Sequence, residues 1–159
     1  MNAAQRIAVG GLSAVLISAG MAVPLIAKYE GVELRDYADP VGIPTACVGH
    51  TSSARVGKVR TLSECMDLFA ADAVEHGIDI DRCIKVAIPN ESRAAFTSFA
   101  FNVGAAKFCS STLTRKLNAG DLKGACAELS RWVYADGRKL PGLVRRRQEE
   151  RAYCERGLR

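Results

Sequence analysis

Twenty-one residues, Ile7 to Ala27, run without a single charged side chain between Arg6 and Lys28. As a helix this stretch would be about 30 Å long, the thickness of a bilayer's hydrocarbon core. The rest of the chain must therefore either fold beyond it or bury it. Gly10, Gly11, Ser13, Ser18, Gly20 and Pro24 dilute its Leu, Ile and Val residues, so insertion into lipid is only modestly favourable. Three readings are open: a weakly held, uncleaved signal anchor; a secretory signal with a small-x-small cleavage site at Gly20-Met21-Ala22; or a buried core helix. The first is preferred. It makes residues 1–28 an anchor segment and residues 29–159 the working domain.

Pro24 to Glu30 has Pro in a first-turn position and Gly31 as a stop, and reads as a short helix ending at Glu30. Nine residues on stands Asp39, and six further on Thr45, either side of an Asp39-Pro40-Val41-Gly42 type I turn. Each has an ordinary explanation: a charged helix end, the preferred opening residue of a turn, a strand residue. Together they supply two carboxyls and a hydroxyl, the groups needed to cleave a glycosidic bond with water. Partial burial would raise the pKa of Glu30 so that it carries a proton near neutral pH.

Glu30, eight residues, Asp39, five residues, Thr45, then Gly49-His50: this pattern resembles the phage-type lysozymes, glycoside hydrolase family 24. The resemblance continues through Asn102-Val103-Gly104, Phe108 to Leu117, Ser130-Arg131-Trp132 and Gly142 to Arg147, covering roughly residues 29–157. It implies a lysozyme-like α+β fold and a monomeric muramidase acting on peptidoglycan, with no metal or organic cofactor. Glu30 would be the acid, Asp39 the base, and Thr45 would orient the attacking water. Family precedent is inversion, which needs carboxyls about 6.5–9.5 Å apart, whereas retention needs about 5–5.5 Å. The matching His50 would be structural, and one of Arg145 to Arg147 would approach Glu30. With its apolar start, the chain is similar to signal-anchor-release endolysins. In those, secretion machinery exports the enzyme, the segment (here residues 7–27) tethers it inactive in the inner membrane, and release into the periplasm activates it. One kind switches through a cysteine in the anchor; this segment has none. Two alternatives remain: a lytic transglycosylase, which needs only the acid, and a non-catalytic wall-binding protein on the same fold.

A net charge of +5 and a pI near 9.0 favour an anionic partner: wall polymer, membrane surface or nucleic acid. No zinc finger, RNA-binding aromatic signature or homeodomain-like pattern accompanies the charge, which argues against nucleic acid. The cysteines, at 47, 65, 83, 109, 126 and 154, form no Cys-x-x-Cys, and there are two histidines, which excludes zinc-ribbon and thioredoxin-like readings. Six dispersed cysteines suit an oxidising compartment, with fifteen possible pairings.

Val32 to Thr51 reads as a small hairpin sheet. Thr61-Leu62-Ser63-Glu64 is a capping box before a helix reaching about His76-Gly77, with a further short helix over Asp79 to Val86. Pro89-Asn90 opens a helix ended by Gly104. Ser110 or Ser111 caps another to about Gly120, Asp121 caps one ending near Trp132-Val133, and Pro141 opens the last, to about Arg156. Capping accounts for Ser110, Ser111 and Thr112, which could otherwise bind N-acetyl groups. Glu33 and Asp36 are expected at the surface, and Trp132 in the core rather than as a sugar platform. The layout predicts a small N-terminal sheet and a larger helical lobe flanking a cleft.

Overall fold

The computed structural model describes the backbone of residues 3–159 and the side chains from residue 11 onward. The apolar run forms α1, Ala3–Ala27. Val15, Ser18, Ala19, Ala22 and Ile26 follow helical spacing and are all buried. They pack against α2 (Leu62–Asp81) and α3 (Asn90–Val103). Contact is close because Gly77 on α2 leaves room: a Cβ there would lie 3.1 Å from Val15 Cγ1. Pro24 does not open a new helix but sits inside α1. Its ring removes the hydrogen bond to the Gly20 carbonyl, at an exposed position where water can replace it. After Ala27 the chain turns, with the N–H groups of Tyr29 and Glu30 both donating to Ile26 O, at 2.9 and 3.1 Å. Among the described residues no helix is long and apolar enough to cross a membrane. Residues 1 and 2 and the side chains of residues 3–10, the first part of the expected anchor segment, lie outside the described residues.

The expected hairpin is β1 (Glu33–Ala38) paired antiparallel with β2 (Pro44–Cys47), Tyr37 facing Thr45 and Ala38 facing Pro44. Its turn closes with Gly42 N–H donating to Asp39 O at 2.9 Å. Asp36, expected at the surface, is buried. Arg60 grips it with two hydrogen bonds, Nε to Oδ1 at 2.7 Å and Nη2 to Oδ2 at 2.8 Å, and the Arg55 N–H adds a third at 2.9 Å. A hairpin this small has little apolar core, and the ion pair ties β1 to the following loop in its place. The Cys47–Cys65 disulfide then staples β2 to the first turns of α2.

Thr61 and Glu64 form the predicted capping box of α2. Gly77 does not end this helix, because it serves the α1 contact. α2 continues to Asp81, and the separate helix predicted over residues 79–86 is replaced by its last turn and a bend. Beyond α3, Gly104 at φ +90° leads into an unforeseen short α4, Ala105–Cys109. Ser111 caps α5 (Thr112–Asn118), and Asp121 caps α6 (Leu122–Glu128), which tightens into a 3-10 turn, Leu129–Arg131, before Trp132. A second hairpin, β3 (Tyr134–Ala135) with β4 (Arg138–Lys139), forms over Asp136-Gly137. Both turn residues have positive φ, the two-residue turn that an Asp-Gly pair favours. α7, Pro141–Arg156, closes the chain. Phe96, Phe99, Phe108, Leu113, Leu117 and Leu129 centre the helical lobe's core, and Cys83–Cys109 and Cys126–Cys154 cross-link it. Small sheet and helical lobe together give the expected α+β architecture.

Two measurements test what holds these lobes. Cys126–Cys154 joins residues 28 apart, so its removal costs about 3.5 kcal/mol of loop-closure entropy. The Cys126→Ser/Cys154→Ser protein is expected to melt about 10 °C lower by scanning calorimetry. Arg60, beside Asp36, holds that carboxyl down at about 2. Because the folded value is depressed, this contribution is complete above about pH 4 and is lost as pH falls through the folded value. The wild-type melting temperature should therefore fall more steeply between pH 4 and 2 than that of Asp36→Asn, which should already be lower at pH 7 because its Arg60 is left unpaired.

Candidate active site

A cavity of about 480 Å³ opens between the end of α1, the loop after β2, and helices α2 and α3. Glu30, Gly49, His50, Asp72, His76 and Asn102 are among its walls. The turn that ends α1 delivers Glu30 there, its side chain 31% exposed. Arg146 Nη1 donates to Glu30 Oε1 at 2.6 Å. Of the three candidate arginines, Arg145 is exposed, Arg147 is buried but turned to Glu150 and Asn102, and Arg146 is the one that faces Glu30. Glu30 is partly buried, as expected, and the approach of one of these arginines is met by Arg146. Just before it, the Tyr29 hydroxyl is pushed up to about 12 by burial and by the Glu149 carboxylate, so it stays protonated. The Arg146 guanidinium lies 5.4 Å from the Tyr29 ring centre.

Behind Arg146 stands a buried polar network that the sequence reading did not identify. Glu150 Oε1 accepts from Arg146 Nε at 3.1 Å and from Ser98 Oγ at 2.7 Å, and Glu150 Oε2 accepts from Arg147 Nη1. Arg146 Nη2 donates to Ser98 O at 3.3 Å. Arg147 donates through Nη2 to Asn102 Oδ1, and through Nε to Trp132 O at 3.1 Å. Burial pushes the pKa of Arg147 down, and Glu150 opposes that shift. The signal available in sequence was the spacing: Glu150 follows the arginines by four and three residues, on one face of α7.

Asp39 and Thr45 are brought together on the first hairpin, but neither is among the residues lining the cavity. Asp39 Oδ1 accepts from the N–H groups of Val41 and Ile43, at 2.9 and 2.8 Å, which fixes the turn and leaves Oδ2 without a partner among the described residues. Thr45 is buried and donates its hydroxyl proton to Ile43 O at 3.0 Å. Its oxygen can then only accept from a water.

His50 receives the Ser53 N–H on Nε2 at 3.2 Å, so Nδ1 carries the proton and donates to Asp72 at 2.9 Å. That fits the expected structural role, pinning the loop after β2 to α2. Ser111 accepts the Thr114 N–H at 3.1 Å, as a cap does. Trp132 is half-buried, edge-on to Phe99 at 5.1 Å, as a core residue. Among the described residues no group of three His, Cys, Asp or Glu could hold a metal ion.

Relatives share both sequence and fold. A SAR-endolysin from Bacteriophage PS119 is 47% identical over 126 residues, spanning 79% of this chain and 75% of its own. Among solved structures, the muramidase domain of SpmX from Asticaccaulis excentricus superposes with a TM-score of 0.77 at 27% identity, covering 84% of this chain and 94% of that one. A P22 lysozyme mutant superposes with a TM-score of 0.73 at 28% identity, covering 83% and 93%. A family model described as Phage lysozyme matches residues 27–150, a span that runs from the end of α1 to Glu150 and takes in Glu30, both hairpins and most of α7, and the chain belongs to that family.

Proposed function

We propose that this protein is an endolysin: a muramidase that hydrolyses the β-1,4 bond between N-acetylmuramic acid and N-acetylglucosamine in peptidoglycan, by an inverting mechanism. The observation that carries the reading is Glu30, held at a polar cavity by the turn after α1 and by a buried guanidinium. Glu30 protonates the glycosidic oxygen as its bond to the anomeric carbon breaks. A water attacks that carbon from the opposite face, and its proton passes to Asp39 Oδ2, the oxygen the turn leaves free. Thr45, whose own proton is committed to Ile43 O, accepts a hydrogen bond from the same water and holds it in line. A glycan strand laid in the cavity extends past Glu30, and the mechanism requires the hairpin to meet it there.

Product analysis of digested peptidoglycan tests this. Wild-type enzyme should release reducing ends whose first-formed anomer, read by NMR, is inverted to α. Glu30→Gln should lower turnover about a thousandfold and Asp39→Asn about a hundredfold or more. Anhydro ends would indicate a transglycosylase, and unchanged wall cutting by Glu30→Gln would defeat the proposal.

The same reading takes residues 1–28 as an uncleaved signal anchor. Exported through the secretion machinery, it would hold the enzyme in the host inner membrane until release into the periplasm. The name SAR-endolysin, borne by the PS119 relative, supports it. So does a physical conflict. The face that packs α1 onto α2 and α3 cannot be in lipid at the same time, and Glu30 lies three residues past the helix end. Tethering and catalysis then exclude each other.

Gly11 and Gly20 offer a test, since nothing lies within 4 Å of a Cβ at either position. Gly11→Leu/Gly20→Leu should fold normally while favouring insertion by about 1 kcal/mol in total. More protein should sediment with membranes and lysis should come later, with detergent-extracted enzyme still active. Unchanged fractionation and timing would remove the anchor reading.

A further inference from the structure

Glu150 is fully buried, is not among the residues lining the cavity, and has both oxygens committed to arginines. A buried ion cluster of this kind is a weak source of stability, because desolvation offsets its attraction. Its geometry has a clearer consequence. Arg146 has three directions fixed at once: Nε by Glu150, Nη2 by Ser98 O, and Nη1 aimed at Glu30. The Ser98 hydroxyl fixes Glu150 in turn. The network starts at Glu30 and ends at Asn102, which Arg147 holds, and both residues line the same cavity.

We propose that Glu150 is a positioning residue for the catalytic acid. It aims the Arg146 guanidinium at Glu30, and it offsets the combined charge of Arg146 and Arg147 beside that acid. This rests on the reading of Glu30 as the acid. Other charged and titratable groups surround Glu30. Asp72, Glu75, His76 and Asp79 of α2 and His50 of the loop share its cavity, and Tyr29 and the Lys28–Glu149 pair lie beside it. Glu150 is the carboxylate that acts from the arginine side. Neutralising it leaves both guanidinium charges uncompensated, Arg146 in contact with Glu30 and Arg147 behind it, which disfavours the form of the acid that can donate.

The test is the pH dependence of kcat on soluble peptidoglycan fragments, using the full-length chain. Glu150→Gln should lower kcat at pH 7 about tenfold with KM within about twofold, and move the alkaline limb of the profile down by about one pH unit. Glu150→Asp, which keeps the charge, should return the limb to within a few tenths of a unit of wild type. Ser98→Ala, which deletes only the hydroxyl that fixes Glu150, should move the limb in the same direction by less, and it decides the matter if Glu150→Gln does not fold. A folded Glu150→Gln that melts lower but keeps the wild-type limb and kcat would overturn the proposal, as would an unmoved limb in Ser98→Ala if that variant has to decide. If Glu30→Gln turns over as fast as wild type in the same assay, the failure lies in the identity of the acid instead.

Discussion

The packing of α1 onto α2 and α3 is the contact on which the rest of the site depends. Glu30 has no scaffold of its own. It stands in a turn whose two N–H groups hang from Ile26 O, and Ile26 is buried in the same core as Ala19 and Ala22. Removing that helix face from the core would leave Glu30 to side-chain contacts with α7: its own with Arg146, and those of Lys28 and Tyr29 beside it. An exposed ion pair contributes little. The apolar segment is therefore structural in the folded enzyme: its helix end places Glu30, and small residues and Gly77 let it approach closely.

Buried charge performs the corresponding task at the first hairpin and at the cavity. Asp36 and Arg60 anchor the hairpin that carries Asp39 and Thr45; Arg146, Arg147 and Glu150 anchor the far wall that meets Glu30. In each case an arginine fork fixes direction, which an apolar contact of similar area would not do. The two groups differ in surroundings. Asp36 and Arg60 sit under a loop and are reinforced by backbone N–H and C=O groups. The α7 cluster lies against the helical lobe's core, with Phe99 stacked on Arg147 at 4.8 Å.

Much of this was readable from local sequence. The capping box at Thr61, the turn at Asp39 and the opening of α7 at Pro141 all depend on residues within four positions of each other, and the structure has them as expected. What failed depended on distant partners. Asp36 looked like a surface residue because Arg60 is 24 positions away. Gly77 looked like a helix stop because Val15, which it accommodates, is on another helix. Pro24 looked like a helix start because nothing local shows that α1, packed against α2 and α3, continues through it. The disulfide pairing was open for the same reason. For the site, the motif located Glu30 and narrowed its partner to three arginines, and the direction in which each side chain leaves α7 separated them.

The distribution of covalent and non-covalent ties completes the picture. Cys47–Cys65, Cys83–Cys109 and Cys126–Cys154 bind the first hairpin to α2, the region after α2 to α4, and α6 to α7. All three lie downstream of α1, which no disulfide reaches. The body of the enzyme is thus cross-linked without its first helix, whose described contacts with that body are non-covalent. Packing of small apolar side chains is reversible, and a bilayer competes for the same surface on similar terms. The anchor reading proposed above requires that balance: a body cross-linked independently of α1, and no disulfide that fixes the helix in place beforehand.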